Sequence, residues 1–404
     1  MLMATESPVQ SLYVHVPFCA KKCSYCAFYS ESSSGELINR FVSALIRELE
    51  IVAPSLSPKT IFFGGGTPSI LNLRQWELIF SAMESLGLMG AEEWTIESNP
   101  ATVSVDKARL WRSAGVNRVS MGVQSLDESL LDRLGRIHNR KTVFKSFDTL
   151  RVAGFDNINV DLMFGIPGQT SQMWRETLKE SLAMHSEHLS CYEVIYEEDT
   201  PLFEDYINGR ANVDEDLICS MYEDLLEHTS RSGFAQYEVA NFAQRLQKSS
   251  SPEPPMEFNG EPRCPELPEP YYACRHNINY WRGGSFHAVG PSAAGYVQGR
   301  RTRNISNTMV YCKHLENGDR AIEWSETLPP VRRAGEVAAF GLRMNSGWAF
   351  EDFQSRTGYK LQDEWRSDIT ELIQLGWAEQ TSERFFLTHQ GMRFADAAAQ
   401  YFLR

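Results

Sequence analysis

Tyr13-Val-His-Val-Pro-Phe-Cys-Ala-Lys-Lys-Cys-Ser-Tyr-Cys-Ala-Phe28 is the stretch from which the rest of the chain is read. It begins as a short apolar strand and then places Cys19, Cys23 and Cys26 in a C-x₃-C-x₂-C pattern on one loop. A loop can wrap a cation and present its sulfurs to one point, so thiolates at this spacing suit a metal. An iron–sulfur cubane normally takes four cysteines. Three leave one iron open to a small molecule, and a 4Fe–4S cluster with an exchangeable site is the expectation. A zinc site completed by Cys191, Cys264 or His15 is the alternative, and three buried thiols without a ligand are the plainest one. Zinc sites built on C-x₂-C usually come as two pairs, and the sequence has no second pair.

Outward from this loop, strand and helix alternate. Ser11–Val16 reads as a strand and Gly35–Val52 as a helix with Leu37, Phe41, Ala44, Leu45 and Leu49 on one face. Strands are predicted at Thr60–Phe63, Trp94–Glu97, Arg118–Met121, Asn157–Met163 and His188–Val194. Helices are predicted at Leu73–Leu86, Val105–Ser113, Glu128–Leu134, Lys141–Ala153 and Ser171–Met184. The alternation points to parallel βαβ units and an α/β class. Six units are too few for an eight-fold barrel, so a partial (β/α)6 barrel or an open sheet is expected.

From Leu246 to Pro270 the texture changes to Ser249-Ser-Ser-Pro-Glu-Pro-Pro and scattered prolines, which defeat helix and strand alike. A mobile insertion is expected there. It is not read as a domain boundary, because strand-like Tyr237-Glu-Val-Ala precedes it and an ordered motif follows. After Pro330 the pattern turns helical, over Val331–Leu342 and Trp365–Leu375. Trp377–Gln380 and Arg384–Thr388 read as a hairpin and Met392–Tyr401 as a last helix. This predicts a mainly helical, winged-helix-like C-terminal domain. With few basic residues, it suits packing or partner docking better than DNA. The expected division is a barrel over 1–245, an insertion over 246–270, a linking segment over 271–328 and a C-terminal domain over 329–404.

Gly64-Gly65-Gly66-Thr67-Pro68 lies where a strand ends, and consecutive glycines let a backbone approach a ligand and expose its N–H groups. Glu97, Gln124, Arg136 and Asp161 lie at or near the ends of later strands, and the carboxyl ends of parallel strands form the active face of a barrel. A carboxylate among apolar strand residues is costly unless paired or used. Each residue alone is equally a satisfied turn or cap. Together they suit a zwitterionic nucleoside, with Arg136 pairing to a carboxylate.

The cysteine loop, with aromatic Tyr25 before the third cysteine, resembles the signature of the radical S-adenosylmethionine (SAM) superfamily, and Gly64–Pro68 matches that family's GGGTP motif. The resemblance implies that SAM chelates the open iron and that the reduced cluster cleaves the sulfonium to a 5′-deoxyadenosyl radical. It makes Gly65, Gly66 and Thr67 SAM contacts. Tyr13, Glu97, Gln124, Arg136 and Asp161 match positions of the coproporphyrinogen-dehydrogenase-like branch. Dehydrogenases of that branch carry another cysteine two positions after the third, where this chain has Phe28. Heme chaperones of the branch have phenylalanine there and an H-N-x-x-Y-W motif, present here as His276-Asn277-Ile278-Asn279-Tyr280-Trp281.

The resemblance therefore implies a heme chaperone that binds a 4Fe–4S cluster, SAM and heme and delivers heme to an acceptor protein. Coproporphyrinogen III dehydrogenation is not expected; a radical enzyme acting on a porphyrinogen is the alternative. Heme is expected at or near His276, with Tyr280, Trp281 and Phe286 as apolar walls and Cys274 as a thiolate alternative. Arg275, Arg282, Arg300, Arg301 and Arg303 are candidates for its propionates. Two features depart from the branch: the 246–270 segment is longer, and Gly290-Pro-Ser-Ala-Ala-Gly replaces an Ala-His-Ser-type step.

Composition narrows the partners. A net charge of −13 argues against a general nucleic-acid binder. Eight cysteines in 404 residues are not a disulfide framework. The first residues lack a basic region followed by an apolar one, and no run reaches about 18 apolar residues. A reducing, cytoplasmic setting is expected, with membrane association only through a partner.

Overall fold

In the computed structural model, residues 7–32, 34–245 and 269–403 are described; the expected insertion, Cys264 included, lies outside them except for Glu269 and Pro270. The chain begins with β1 (Val9–Val16), α1 (Gly35–Val52), β2 (Leu56–Gly65), α2 (Leu73–Ser85), β3 (Glu93–Ser98) and α3 (Val105–Ala114). It continues with β4 (Arg118–Gln124), α4 (Glu128–Arg133), α5 (Arg140–Val152), β5 (Ile158–Phe164), α6 (Ser171–Ala183) and β6 (His188–Glu193). Then come α7 (Pro201–Ile207), α8 (Glu215–Arg231), the hairpin β7 (Phe234–Gln236) and β8 (Asn241–Gln244), and α9 (Arg275–Trp281). Local chemistry fixes the starts. Ser34 caps α1 by accepting from Leu37 N, and Asn72 and Gln75 bond each other's backbone reciprocally at the start of α2.

Two compact units emerge, residues 1–225 with 285–326, and residues 226–284 with 327–404. In the first, strands run in the order β6-β5-β4-β3-β2-β1, every neighbouring pair parallel, as the partial-barrel reading requires. One face of each strand is apolar and fully buried: Leu12, Val14 and Val16 on β1, Ile61 and Phe63 on β2, Trp94 and Ile96 on β3, Val160 and Leu162 on β5. Large side chains from this face and its helices, Trp76, Trp94 and Trp111 among them, each contribute about 2–3 kcal/mol by burial. Many of the alternate positions are polar, and these carry the candidate site.

The first unit also holds β9 (His287–Val289), β10 (Ala294–Val297), β11 (Arg300–Asn304), α10 (Thr308–Glu316) and β12 (Ile322–Thr327). β9 extends the sheet as a further parallel strand on the free edge of β1, with Leu12 opposite His287 and Val14 opposite Val289. Buried Glu48 of α1 fastens this return: its carboxylate accepts from Gly290 N (2.7 Å), Asn304 Nδ2 (2.7 Å) and the Tyr311 hydroxyl (2.6 Å). Gly290 has φ +102°, and a Cβ there would stand 2.2 Å from the His15 carbonyl oxygen, so this contact needs glycine.

The second unit adds α11 (Pro330–Gly341), β13 (Trp348–Ala349), α12 (Phe350–Thr357), α13 (Leu361–Glu364) and α14 (Arg366–Gln374). It ends in β14 (Ala378–Gln380), β15 (Arg384–Leu387), α15 (His389–Arg393) and α16 (Ala395–Gln400). Trp348, Phe353, Trp365, Phe385 and Phe402 centre its core, and β13-β15-β14 form a small antiparallel sheet beside the helices. Three expectations are corrected here. Tyr237–Ala240 is the hairpin turn rather than a strand, because Glu238 turns back to accept from Ala240 N and Asn241 Nδ2. The helix expected over Trp365–Leu375 starts only after Trp365, whose backbone leaves the helical region. The last helix is divided in the same way at Phe394. No helix among the described residues is long and apolar enough to cross a membrane.

Candidate functional site

The cysteine loop leaves the carboxyl end of β1 and is tied down from several sides. Ser24 bonds through its N–H to Leu134 O (3.1 Å), through its hydroxyl to Arg133 O (3.0 Å), and accepts at its carbonyl from Leu202 N (2.9 Å). Tyr25 packs against the cluster of Leu130, Leu134, Met163, Ile166, Val194 and Leu202. The sulfurs have polar company. Cys19 Sγ lies 3.4 Å from the Thr67 hydroxyl, and Arg136 Nη1 donates to Cys23 Sγ at 3.3 Å. Burial, then the neighbouring sulfurs of Cys23 and Cys19, push the Cys26 thiol up, so its ionisation calls for a cation.

The zinc alternative finds no support in its nearest donors. His15 has Nδ1 on the Tyr13 hydroxyl (3.0 Å) and Nε2 on the Tyr29 carbonyl (3.1 Å), so both ring nitrogens are engaged. Cys191 sits opposite Leu162 in register, on the apolar side of the sheet, and burial raises its thiol far above the usual range.

The glycine turn does something other than expose its amides. Gly65 N donates to Glu97 Oε2 (3.2 Å), Gly66 N to Val16 O (2.9 Å) and Thr67 N to Phe18 O (2.8 Å). Those three donors are spent inside the protein, so a ligand reaching this turn meets acceptors and the Thr67 hydroxyl. Gly65 is required twice over: its φ is +100°, and a Cβ would fall 2.4 Å from the His15 ring.

Glu97 and Asp161 are both partly buried, and desolvation holds each against its preference for water. Burial, then the charge of Asp161, push Glu97 up to about 8, against the Gly65 amide and Arg118 that pull it down. Burial pushes Asp161 up to about 6, partly offset by Asn159, Arg118, Ser120 and Ser190. Gln124 has φ +70° at a bulge between Gly122 and Gln124, a conformation costing about 1 kcal/mol or more for a side-chain-bearing residue. It brings Gln124 Nε2 and Arg136 Nη2 to the same bare Gly122 backbone, within 3.1 and 3.2 Å of where a Cβ would stand. Arg136 Nη2 also donates to Gly122 O (2.5 Å), whereas its buried Nε has no partner among the described residues. A buried donor left open expects an acceptor.

Cys19, Cys23, Cys26, Tyr13, Gly65, Gly66, Thr67, Glu97, Gln124, Arg136 and Asp161 thus belong to one unit and are linked by these contacts. His276 belongs to the other unit, on α9, where its Nε2 meets the Tyr280 hydroxyl at 2.7 Å. Trp281 and Arg282, expected near heme, are employed otherwise. Arg343 lies over the Trp281 ring at 4.8 Å; Arg282 donates to Gly347 O and Ser346 Oγ, both at 2.6 Å, and stacks on Trp348. Cys274 is fully buried.

Sequence reasoning passed over a ladder of polar side chains beneath the candidate site. Asn159 Nδ2 donates to Ser120 Oγ (2.7 Å) and Asp161 Oδ1 (2.6 Å), while Asn159 Oδ1 meets His188 Nδ1 (2.6 Å) and Ser190 Oγ (3.1 Å). Arg118 is buried beside them, donating to Thr95 Oγ1. The signal was period two within each strand: Thr95 and Glu97, Arg118 and Ser120, Asn159 and Asp161, His188 and Ser190.

Residues 13–180 match the model of the radical SAM superfamily, and residues 328–394 that of the HemN C-terminal domain. The heme chaperone HemW of Lactococcus lactis subsp. lactis (strain IL1403) is 30% identical over 395 residues, 97% of each chain. That of Bacillus subtilis (strain 168) is 30% identical over 389 residues, covering 95% of this chain and 96% of its own. The chain belongs to the HemW family. In three dimensions it resembles the radical SAM enzyme coproporphyrinogen III oxidase (HemN) of Escherichia coli, with a TM-score of 0.80 at 19% identity over 98% of this chain and 90% of that one. This establishes the radical SAM fold with its C-terminal helical domain. Phe28 stands 70% exposed beside the cysteine loop.

Proposed function

We propose that this chain is a heme chaperone: it holds a 4Fe–4S cluster and SAM in its first unit, binds heme through the His276 motif, and passes heme to an acceptor protein. The observation that supports the cluster and SAM most is the donor set itself. Three thiols, one fewer than a cubane takes, share one loop, and Arg136 reaches it from beyond α4 to bond Cys23, its buried Nε without an acceptor among the described residues. Cys19, Cys23 and Cys26 would hold three irons. When bound, cluster and SAM would supply one-electron chemistry at the sulfonium.

The chain's own residues account for the rest of that site. Arg136 bonds Cys23 and would complete its third donor with a ligand carboxylate. Glu97 and Asp161, each ionised at a cost, would favour a cationic ligand, and Tyr13 and Gln124 line the same face. The heme part rests on the HemW relatives and on the His276–Trp281 motif; Phe28, in place of a thiol, argues against coproporphyrinogen dehydrogenation. Neither nucleic acid nor a membrane is part of the reading, and the cytoplasm is the setting it requires. Anaerobic reconstitution with iron and sulfide, titration with SAM and heme, and a turnover assay with coproporphyrinogen III test it together. Heme uptake without protoporphyrinogen formation is expected. Clear turnover would replace the chaperone by a radical enzyme.

A further inference from the structure

Residues four apart on a helix share a face, and α9 uses that spacing to set His276 against Tyr280. Nε2 and Oη are 2.7 Å apart, with the rings edge to face. Their burial is unequal: His276 is 1% exposed, whereas Tyr280 is partly exposed. The other aromatic and basic members of the motif explain themselves by packing. Trp281 lies under Arg343, Arg282 is bonded to Ser346 and Gly347, and Cys274 N donates to the Tyr237 hydroxyl (3.0 Å). These contacts hold α9 in place, and the His276–Tyr280 bond is separate from them.

We infer that the axial ligand to ferric heme is the Tyr280 phenolate, with His276 acting as the base that takes its proton. The assignment rests on the heme binding proposed above. Tyrosinate is an established ligand of ferric heme, and a hard trivalent iron suits an anionic oxygen. A phenol ionises near pH 10 unaided, so ligation at neutral pH needs a base within hydrogen-bond reach. His276 Nε2 fills that place. As iron approaches, the Tyr280 O–H bond breaks, the Fe–O bond forms, and the proton moves to Nε2. Iron stays ferric, and the imidazolium beside the phenolate conserves the charge. Direct ligation by His276 Nε2 would first require Tyr280 to leave and a buried ring to reach the iron. A tyrosinate backed by a histidine can also be reprotonated from that histidine, which gives a cargo carrier a release route without a second ligand.

The test is a titration of ferric heme into the full-length protein and into Y280F and H276A, with circular dichroism confirming the fold of each. Binding is read by absorbance, and the ligand by the phenolate-to-iron charge-transfer band and the Fe–O(phenolate) vibration in resonance Raman. Wild type should show both signatures. Y280F should lose both, and H276A should keep them while binding roughly ten- to hundredfold more weakly, the range for one charge-assisted hydrogen bond. Heme bound to wild type with an imidazole signature, unchanged in Y280F and lost in H276A, overturns the ligand assignment and leaves the chaperone reading standing. No uptake by wild type overturns both.

Discussion

The cysteine-loop site and the α9 motif both gather histidine, tyrosine and arginine, yet they treat them differently. In the first unit burial raises the Glu97 and Asp161 carboxyls against their hydrogen bonds, and Arg136 Nε has no acceptor among the described residues. On α9 His276 bonds Tyr280, and Arg282 at its end bonds the backbone and hydroxyl of residues 346–347, although the buried Trp281 indole N–H has no partner among the described residues. Buried, incompletely paired groups are costly. A site that keeps them is shaped for a resident ligand, whereas one that pairs them internally can stand empty between deliveries. On the proposed function, the difference would separate a cofactor site from a cargo site.

The largest effect should come from the cysteines. Alanine at Cys19, Cys23 or Cys26 should lose most of the iron after anaerobic reconstitution, measured as iron and sulfide per chain. Alanine at Cys191, Cys219 or Cys312 should retain it. Full iron content in a Cys23 variant would mean that the loop is not the cluster's seat.

Next comes Arg136, which serves thiol, backbone and, on the reading above, SAM. Removing one partner from a buried ionic arrangement costs about 3–5 kcal/mol. R136A should weaken SAM binding about 100-fold or more on the same scale. Because Arg136 also bonds Cys23 Sγ, the cluster's EPR signal should shift even without SAM. Unchanged calorimetric affinity would remove Arg136 from the ligand site. A matching loss in R282A, which belongs to the paired region, would erase the contrast.

The raised Glu97 carboxyl predicts a pH dependence. Glu97 ionises at about 8 in the folded chain against 4.5 as its ordinary value, so the folded state binds the proton more tightly. Its contribution to stability is present in full below about pH 4.5 and is lost as pH rises towards 8. E97Q should therefore melt above the wild-type apo-protein at pH 8 and lie close to it near pH 5. SAM, as a cation, should bind wild type more tightly as pH rises across this window. Equal stabilities of the two proteins at both pH values would show that Glu97 is already ionised without penalty.

Much of the first unit was legible in sequence because its signals are local. Alternating β and α periods, the spacing of Cys19, Cys23 and Cys26, and the run Gly64–Gly66 need no partner to be read. Elements that depend on distant residues were not. β9 is three residues long, and its place beside β1 rests on Glu48 gripping Gly290 and Asn304. The amides of the glycine turn seemed open because Glu97, Val16 and Phe18, which accept from them, lie elsewhere in the chain. The polar ladder of Ser120, Asn159 and His188 was hidden for another reason: each member looks ordinary within its own strand, and only the register assembles them. On α9, sequence singled out His276 and gave no sign that Tyr280 would cap it.

The smallest effect concerns that cap. If the His276–Tyr280 pair belongs to a cargo site, its hydrogen bond adds little to the fold, because Tyr280 is partly exposed and water can replace its hydroxyl. Y280F should then cost about 1 kcal/mol or less in urea unfolding of the heme-free protein, the ordinary net worth of one hydrogen bond. Glu48 gives the internal standard. It is buried with three donors, so E48A should cost several-fold more, about 3 kcal/mol or above, by leaving Gly290, Asn304 and Tyr311 without their acceptor. A Y280F cost approaching that of E48A would make the pair a structural fixture like Glu48, and α9 would no longer differ from the framework around it. A small cost, together with loss of the phenolate signature from bound heme, would separate the two roles, since a hydroxyl that matters little to folding would then be the group that meets the iron.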